Sequence, residues 1–294
     1  MATYRATTPP FELAEAYAHC ERLAKTHYEN FTVGSLLLPR GIRPYFYAIY
    51  AFCRHTDDLG DEAAGDRPAL LNKWEGQLVL AYGGVPSEPI MVALQDTIRR
   101  FDIPDAPFRK LIQANRIDQG SGRFATYDAL LSYCAHSANP VGHMVLYLFG
   151  DRTEQSQALS DATCTALQLA NFLQDVKRDS DRGRIYLPLE DMARFGYSEA
   201  DLQSGAINDA FRQLMAFEMG RAEALFHEGY GLVKRLKGRS KLDIALFTKG
   251  GMSVLDSIRA QDYDVLTKRP IVGRRRKLWL FATTASRLAL GLRP

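Results

Sequence analysis

Apolar residues recur at helical spacing along most of this chain, and this pattern limits the folds that the chain can adopt. Apolar residues that return every three or four positions share one face of an α-helix, whereas a half-buried strand requires strict alternation. No series of β-branched runs bounded by hairpin turns occurs in the sequence. The sequence therefore predicts an all-α fold. The predicted helices lie near residues 12–29, 41–60, 67–82, 88–101, 106–120, 126–149, 153–180, 207–236, 241–266 and 274–291.

The breaks between these segments are short, and none is a Ser/Pro-rich linker that would separate two domains. A chain of 294 residues with 46% hydrophobic residues can bury a large core. We therefore predict a single domain over residues 1–294, with a core at about 12–270 and a basic amphipathic C-terminal helix at 273–291. In a helical bundle of this kind, we expect the functional site in a cavity between helices.

Composition excludes several classes of protein. The formal net charge of +3 is too small to indicate a nucleic-acid partner. The four cysteines are widely spaced and form no C-x-x-C pair, which indicates reduced thiols in a cytosolic protein. No segment reaches the ~18 uncharged apolar residues that a spanning helix needs, and Met1 to Pro10 contain no secretory apolar run. We expect a cytoplasmic protein, at most peripheral on the inner membrane.

A first acidic cluster follows a strongly apolar predicted helix: four of the six residues from 57 to 62 are acidic. Asp57 and Asp61 lie one helical turn apart and continue the face that carries Tyr50 and Arg54. Like charges at this spacing cost about 0.2–0.5 kcal/mol, and a divalent cation would remove that cost. Mg²⁺ commonly takes one or two carboxylates and completes its shell with water and phosphate oxygens. The alternative, a solvated acidic helix end, stays open for this cluster alone.

A second cluster repeats the spacing on another predicted helix. Gln168, Asn171, Asp175 and Asp179 fall within an arc of about 80° and are bordered by leucine and phenylalanine residues. A solvated face would normally carry lysine and glutamate, so this polar stripe is expected to face an internal wet cavity. Two such clusters facing each other would form a site in which several magnesium ions accept a diphosphate leaving group.

Four arginines lie close in sequence to these aspartates and are suited to bind phosphate oxygens through paired hydrogen bonds. They are Arg54, Arg178, Arg182 and Arg184. Taken singly, each of them is more often a surface residue.

Several stretches together resemble the squalene/phytoene synthase family over most of the chain, from about Tyr28 to Arg269. They are Asn30-Phe31, Leu37 to Arg40, Ala48 to Arg54 leading into Asp57 to Glu62, Leu167 to Asp179, and Gly183 to Pro188. The resemblance implies an α-helical isoprenoid synthase fold with a central cavity. It also implies that two aspartate motifs hold three magnesium ions and the diphosphate, the metal ligands being Asp57, Asp61, Asp175 and Asp179.

The same resemblance implies roles for other residues at the diphosphate or at the carbocation. The implied catalytic residues are Tyr50, Arg54, Tyr133, Gln168 and Asn171. The implied substrate-binding residues are His27, Phe31, Arg54, Asn171 and Arg184. A lone helical histidine is more often structural, and aromatic residues at helical spacing are more often plain core, although their π faces can stabilise a cation.

Within the family, residues 30–40 and 137–142 are most similar to the bacterial hydroxysqualene synthase branch of hopanoid biosynthesis. That resemblance implies a carbon–oxygen lyase that takes presqualene diphosphate from a sister enzyme and releases hydroxysqualene without NADPH. Gln174 and Gly251 support a divergent role, because condensing members commonly carry arginine and tyrosine there. Ser137 and Asn139 are candidates to position water, whereas Pro140 is expected only to kink its helix.

Three alternatives accompany this hypothesis. One is a head-to-head prenyl transferase that makes presqualene diphosphate, squalene or phytoene from prenyl diphosphates, farnesyl-type diphosphates among them. A di-iron carboxylate bundle is excluded, because no histidine lies in a Glu-x-x-His motif. A helical membrane-surface adaptor would explain the basic and apolar segment 274–281 but not the aspartate motifs. We read that segment as a membrane-surface contact or, equally, as a docked helix with a solvated basic end.

Overall fold

The computed structural model describes residues 10–26, 38–120, 122–236 and 238–289. Within these ranges the regular structure is helical, apart from one isolated bridge between Arg123 and Ile185. The all-α prediction is therefore confirmed. The described helices are α1 (Leu13–Thr26), α2 (Arg43–Asp61), α3 (Arg67–Gly83), α4 (Pro89–Phe101), α5 (Ala106–Ile117), α6 (Tyr127–Ser137), α7 (Asn139–Phe149), α8 (Glu154–Gln174), α9 (Val176–Asp181), α10 (Leu189–Phe195), α11 (Glu199–Ser204), α12 (Asp209–Gly229), α13 (Gly231–Arg235), α14 (Gly238–Ala260) and α15 (Arg274–Ala289).

The chain forms two compact units, and each unit is made of two separate segments of the sequence. The first contains the chain up to residue 120 together with 140–153, and the second contains 121–139 together with everything from 154 onward. The chain therefore passes between the units three times, which is unlike two domains joined by one linker. The single domain and the central cavity remain predictions.

In the first unit, α2 is the central helix and packs against α1, α3, α4 and α5. Its apolar face is fully buried at Ile49 and Phe52, and the ring of Trp74 stacks on Phe52 with the centroids 5.7 Å apart. The indole N–H of Trp74 donates a hydrogen bond of 2.9 Å to the Thr56 hydroxyl. The buried face thus extends to the residue just before Asp57, and it fixes the direction of the helical turn that carries the acidic cluster.

In the second unit, α8 packs against α12 and α14. The approach of α14 is close at Gly251, where an added Cβ would lie 2.3 Å from Phe226 Cζ and 2.8 Å from Leu167 Cδ2. Phe226 is fully buried, so it has little room to move aside. The packing explains why this position carries glycine: a tyrosine here would require the three helices to separate.

Several predicted boundaries were wrong. The predicted helix 126–149 is two helices, because Pro140 has no N–H and the first helix ends at Ser137. The predicted helix 153–180 breaks at Asp175, whose φ of −106° and ψ of 15° lie outside the helical range. The short helices α10 and α11 were missed, although Ser198 and Asp201 form a capping box at the start of α11.

No helix in the described part of the chain combines the length and the apolar character needed to cross a bilayer.

Candidate active site

The first acidic cluster lies at the C-terminal end of α2 and is supported from behind by α5. The side-chain amide of Asn115 donates hydrogen bonds to Asp57 Oδ1, at 3.2 Å, and to the Leu111 carbonyl. One turn later, Gln119 donates to the Gly60 carbonyl at 3.0 Å. Two neutral amides therefore hold the acidic turn without adding a charge.

Gly60 is what allows Asn115 to come so close. A Cβ at Gly60 would lie 2.1 Å from Asn115 Oδ1 and 2.9 Å from its Cγ. Because these distances are far below van der Waals contact, any other residue would push Asn115 away and break its bond to Asp57. The glycine inside the aspartate motif is thus a packing requirement.

The Asp57 carboxylate remains accessible to solvent, and yet its pKa is raised to about 7. The main cause is burial among protein atoms, which displace part of its hydration; the bond from Asn115 lowers the pKa, and the charge of Asp61 raises it. A carboxylate that is poorly hydrated but still reachable from solvent favours a bound cation.

Arg54 and Tyr50 share the helix of this cluster, as the sequence predicts. The Arg54 guanidinium pairs with Asp58 and, at 3.1 Å, with Glu62, both outside the predicted ligand pair. Its Nε is buried and has no hydrogen-bond partner among the described residues. The Tyr50 pKa is raised by burial. Arg54 thus keeps one buried N–H without a hydrogen-bond acceptor among the described residues.

The second cluster crosses the break between α8 and α9 without losing its register. The Asp175 N–H donates to the Asn171 carbonyl and the Asp179 N–H donates to the Asp175 carbonyl, both at 2.9 Å. Asn171 is exposed, and Gln168, Asp175 and Asp179 are half-buried. The polar stripe predicted from the spacing therefore persists, although its helix does not.

Sequence reasoning missed Arg269, which holds Asp175 through two bonds. Arg269 Nε lies 2.5 Å from Asp175 Oδ1 and its Nη2 lies 2.9 Å from Oδ2. The buried Gln174 accepts from the same Nη2 at 3.1 Å and donates to the Pro270 carbonyl at 2.6 Å. The two segments are 94 residues apart in sequence, and no local pattern connects them, so only the tertiary structure identifies this arginine.

Asp179 lines a small cleft of the second unit together with Arg184, Phe172, Val176 and Tyr186. Burial, and then the charge of Asp175, raise the pKa of Asp179 to about 7, while Arg184 lowers it. The structure thus places Arg184 near a predicted metal ligand. Arg178 and Arg182 are exposed, as expected for surface residues.

Tyr133 is buried in an aromatic cluster that reaches the same cleft. Its ring centroid lies 5.2 Å from that of Phe124, 5.9 Å from Tyr186 and 6.3 Å from Phe172. Phe172 and Tyr186 are stacked with centroids 3.8 Å apart. Ordinary packing in the hydrophobic core explains these contacts. A role for Tyr133 at a carbocation stays a prediction.

The two residues considered for positioning water differ in their bonding. Asn139 is buried and its Oδ1 accepts a hydrogen bond of 2.9 Å from Thr165, which ties the start of α7 to α8. Ser137 Oγ is buried and finds no partner in the part of the chain that the structure describes. Ser137 is therefore the better candidate of the two. His27 and Phe31 lie outside the described residues.

The described residues contain no group of three or more His, Cys, Asp or Glu side chains arranged to hold a metal ion. Each aspartate motif instead supplies a pair of carboxylates one turn apart. That pairing suits Mg²⁺, which keeps several waters and takes substrate phosphate oxygens beside one or two carboxylates. The residues present therefore fit the metal that the sequence predicts.

Known proteins resemble this chain over nearly its full length. The squalene/phytoene synthase family profile matches residues 24–276. The 15-cis-phytoene synthase of Synechococcus elongatus is 36% identical over 280 residues, which cover 90% of this chain and 91% of that enzyme. The crystal structure of squalene synthase HpnC from Alicyclobacillus acidocaldarius is 45% identical, with a TM-score of 0.84, and covers 87% of this chain and 97% of that one. A dehydrosqualene synthase structure has 28% identity, a TM-score of 0.87 and coverage of 95% and 98%. The predicted squalene/phytoene synthase-like helical fold is confirmed, and this chain belongs to the squalene/phytoene synthase family.

Proposed function

We propose that this protein is a magnesium-dependent synthase that ionises prenyl diphosphates in head-to-head isoprenoid chemistry. The observation that carries the proposal is the pair of Asp-x-x-x-Asp motifs, in which Asp57 and Asp179 have pKa values raised to about 7. A phytoene synthase and a squalene synthase are among the proteins that the chain resembles. This supports the prenyl transferase alternative more directly than the hydroxysqualene synthase hypothesis.

Asp57, Asp61, Asp175 and Asp179 would hold the magnesium ions, which supply Lewis-acid activation and charge neutralisation for the departing diphosphate. The chain's own residues then orient the phosphate oxygens. Arg54 lies three residues before Asp57, and Arg184 lies close enough to Asp179 to lower its pKa. Bidentate guanidinium bonds suit phosphate well. No protein nucleophile is required, because ionisation breaks the carbon–oxygen bond and the electron pair leaves with the diphosphate.

A second candidate function is that of hydroxysqualene synthase. In that reaction presqualene diphosphate ionises, the carbocation rearranges, and water adds with loss of a proton. Two residues favour it, Gln174 and Gly251. Gln174 is engaged with Arg269 and Pro270, and Gly251 lies too close to Phe226 to be replaced by a tyrosine. An upstream reaction that couples two prenyl diphosphates would then have to supply the substrate.

The deciding experiment incubates the purified protein with magnesium and, in parallel, with farnesyl diphosphate, a longer prenyl diphosphate and presqualene diphosphate. Products are identified by mass, with and without NADPH. Head-to-head products from the linear substrates support the prenyl transferase. Conversion of presqualene diphosphate alone, to an alcohol and without NADPH, supports hydroxysqualene synthase.

An Asp57→Asn variant serves as the matched control in each incubation. It keeps the side-chain volume and removes one proposed metal ligand, so product formation should fall sharply. Absence of metal-dependent diphosphate release from all three substrates would contradict both functions.

A further inference from the structure

The exposed apolar residues of this protein are concentrated near its C-terminal end. Among the described residues, the three most exposed large hydrophobic side chains are Ile271, Leu278 and Trp279, with exposed fractions of 71%, 69% and 55%. They lie within nine residues of one another in sequence. Single exposed apolar side chains are normal on protein surfaces, whereas a contiguous exposed apolar patch indicates an interaction site.

Leu278 and Trp279 belong to α15, which packs on the rest of the protein through its other face. Residues three and four positions apart share a helical face, and the exposed face of α15 combines Arg275, Leu278, Trp279 and Ala282. On the opposite face Leu280 and Thr284 are buried, and α15 packs against α14. The helix therefore docks through one face and presents an apolar and basic face to the outside.

The charge around this face is strongly one-sided. Residues 268–287 contain seven basic residues and no acidic residue. Arg276 pairs with Asp256 at 3.3 Å and lies over the Trp279 ring at 4.9 Å. Arg274, Arg275 and Lys277 are exposed and form no ion pair with any residue that the structure describes. Because a helix dipole is positive at its N-terminus, cations in this first turn are unfavourable until an external anion compensates them.

We propose that Ile271 and the exposed face of α15 dock on an anionic membrane surface, a property separate from the proposed reaction. Basic residues would contact the headgroups while Leu278 and Trp279 enter the interface, where tryptophan is favoured. A second copy of this chain fits the face poorly, because a symmetric contact would bring the two basic clusters together. An anionic bilayer satisfies both the charge and the exposed apolar side chains.

The docking face is connected to the second aspartate motif through a short stretch of chain. Arg269 and Pro270 bond to Asp175 and Gln174, and Ile271 follows directly. Docking would therefore hold this part of the motif close to the lipid surface. Long apolar prenyl chains partition into lipid, so the arrangement suits the class of substrate that we propose.

The test is sedimentation of the full-length protein with vesicles of phosphatidylcholine alone or mixed with phosphatidylglycerol. We expect binding to the anionic vesicles that weakens with salt. Each basic residue near an anionic surface strengthens binding about fivefold, so an Arg274→Gln/Arg275→Gln variant should bind about 25-fold more weakly. A Lys73→Gln/Lys110→Gln variant removes two exposed charges elsewhere and should bind like the wild type.

Tryptophan fluorescence gives an independent measurement, since the chain has two tryptophans and Trp74 is buried. Anionic vesicles should shift the emission to shorter wavelength in the wild type and not in Trp279→Ser. A Val79→Ser variant, which changes an exposed apolar residue outside the face, should retain the shift. The proposal would be overturned if the Arg274→Gln/Arg275→Gln variant bound anionic vesicles as strongly as the Lys73→Gln/Lys110→Gln variant. Lipid-free dimerisation that Trp279→Ser abolishes would also overturn it.

Discussion

The two aspartate motifs have the same spacing but differ in how the protein balances their charge. At the first motif, Asp57 is supported by the neutral amide of Asn115 on an uninterrupted helix. At the second motif, the helix breaks at Asp175, and Arg269 neutralises that carboxylate through two bonds. A cation entering the first motif meets the Asp57 carboxylate held by an amide, whereas one entering the second competes with a guanidinium that bonds to Asp175.

We therefore expect the two motifs to differ in their affinity for magnesium, despite their equal spacing in sequence. We expect the first motif to bind the metal more readily in the absence of substrate. The second should require the diphosphate, whose negative charge can take over the pairing with Arg269.

The largest effect is expected from Asp57→Ala and Asp175→Ala, each of which should lower product formation at least about 100-fold. Their stabilities should differ. Asp57→Ala relieves repulsion from Asp61 and should leave the free energy of unfolding unchanged or slightly higher. Asp175→Ala loses the partly exposed pair with Arg269 and should lower it by up to about 1 kcal/mol. Turnover assays and urea titrations measure both quantities.

The control for this pair is Asp181→Ala, since Asp181 is an exposed acid that pairs with Lys177. It should retain activity. Near-normal turnover in either Asp57→Ala or Asp175→Ala would contradict the assignment of both motifs as metal ligands.

Gly60→Ala should damage the first motif through packing alone. The added methyl would displace Asn115 and break its bond to Asp57, at a cost of about 1–3 kcal/mol in stability. Gly76→Ala is the matched control, because a Cβ at this glycine within α3 meets no atom within 4 Å; it should be neutral or stabilising. Thermal unfolding of both variants distinguishes close packing from helix propensity, and equal melting temperatures would refute the packing argument.

Gln174→Arg should disturb the second motif alone. It replaces a buried amide that bonds to Arg269 and Pro270 with a second cation, and the expected loss of stability is about 1–2 kcal/mol. Gln174→Met removes the same hydrogen bonds without adding charge. If the arginine variant is no less stable than the methionine variant, repulsion from Arg269 is unimportant, and the contrast between the motifs is smaller than we propose.

The smallest effect concerns pH in the absence of metal. The pKa values of Asp57 and Asp179 are raised to about 7. The contribution of these two carboxyl groups to the free energy of unfolding is therefore fully present below about pH 4, the usual carboxyl pKa. It is lost as the pH rises through 7. Because Asp57 is solvent-accessible, we expect a change in Tm of only a few degrees. Asp57→Asn and Asp179→Asn should each flatten the fall, as should added magnesium.

Glu218 provides a control outside both motifs. It is buried, and burial raises its pKa to about 8. Its contribution should be lost as the pH rises through about 8, and magnesium should not restore it. A magnesium effect that persists in both aspartate variants would contradict the expected link between the metal and these carboxylates.

The sequence was sufficient to predict the helical class, because apolar spacing at three and four residues depends directly on local helical geometry. It also determined which residues share a face within each aspartate motif, since that depends only on position along the helix. The close spacing of Asp57 and Asp61, and of Asp175 and Asp179, needed no tertiary information. Capping signals such as Ser198 with Asp201 were present in the sequence but were overlooked.

The residues that surround each motif could be identified only from the packing of distant segments. Asn115 reaches Asp57 because Gly60 leaves room for it, and Arg269 reaches Asp175 from 94 residues away. Such contacts depend on how distant segments pack, and helical periodicity carries no information about them. The exposure of Leu278 and Trp279 was decided in the same way, because α15 packs against α14 and buries Leu280 and Thr284 instead.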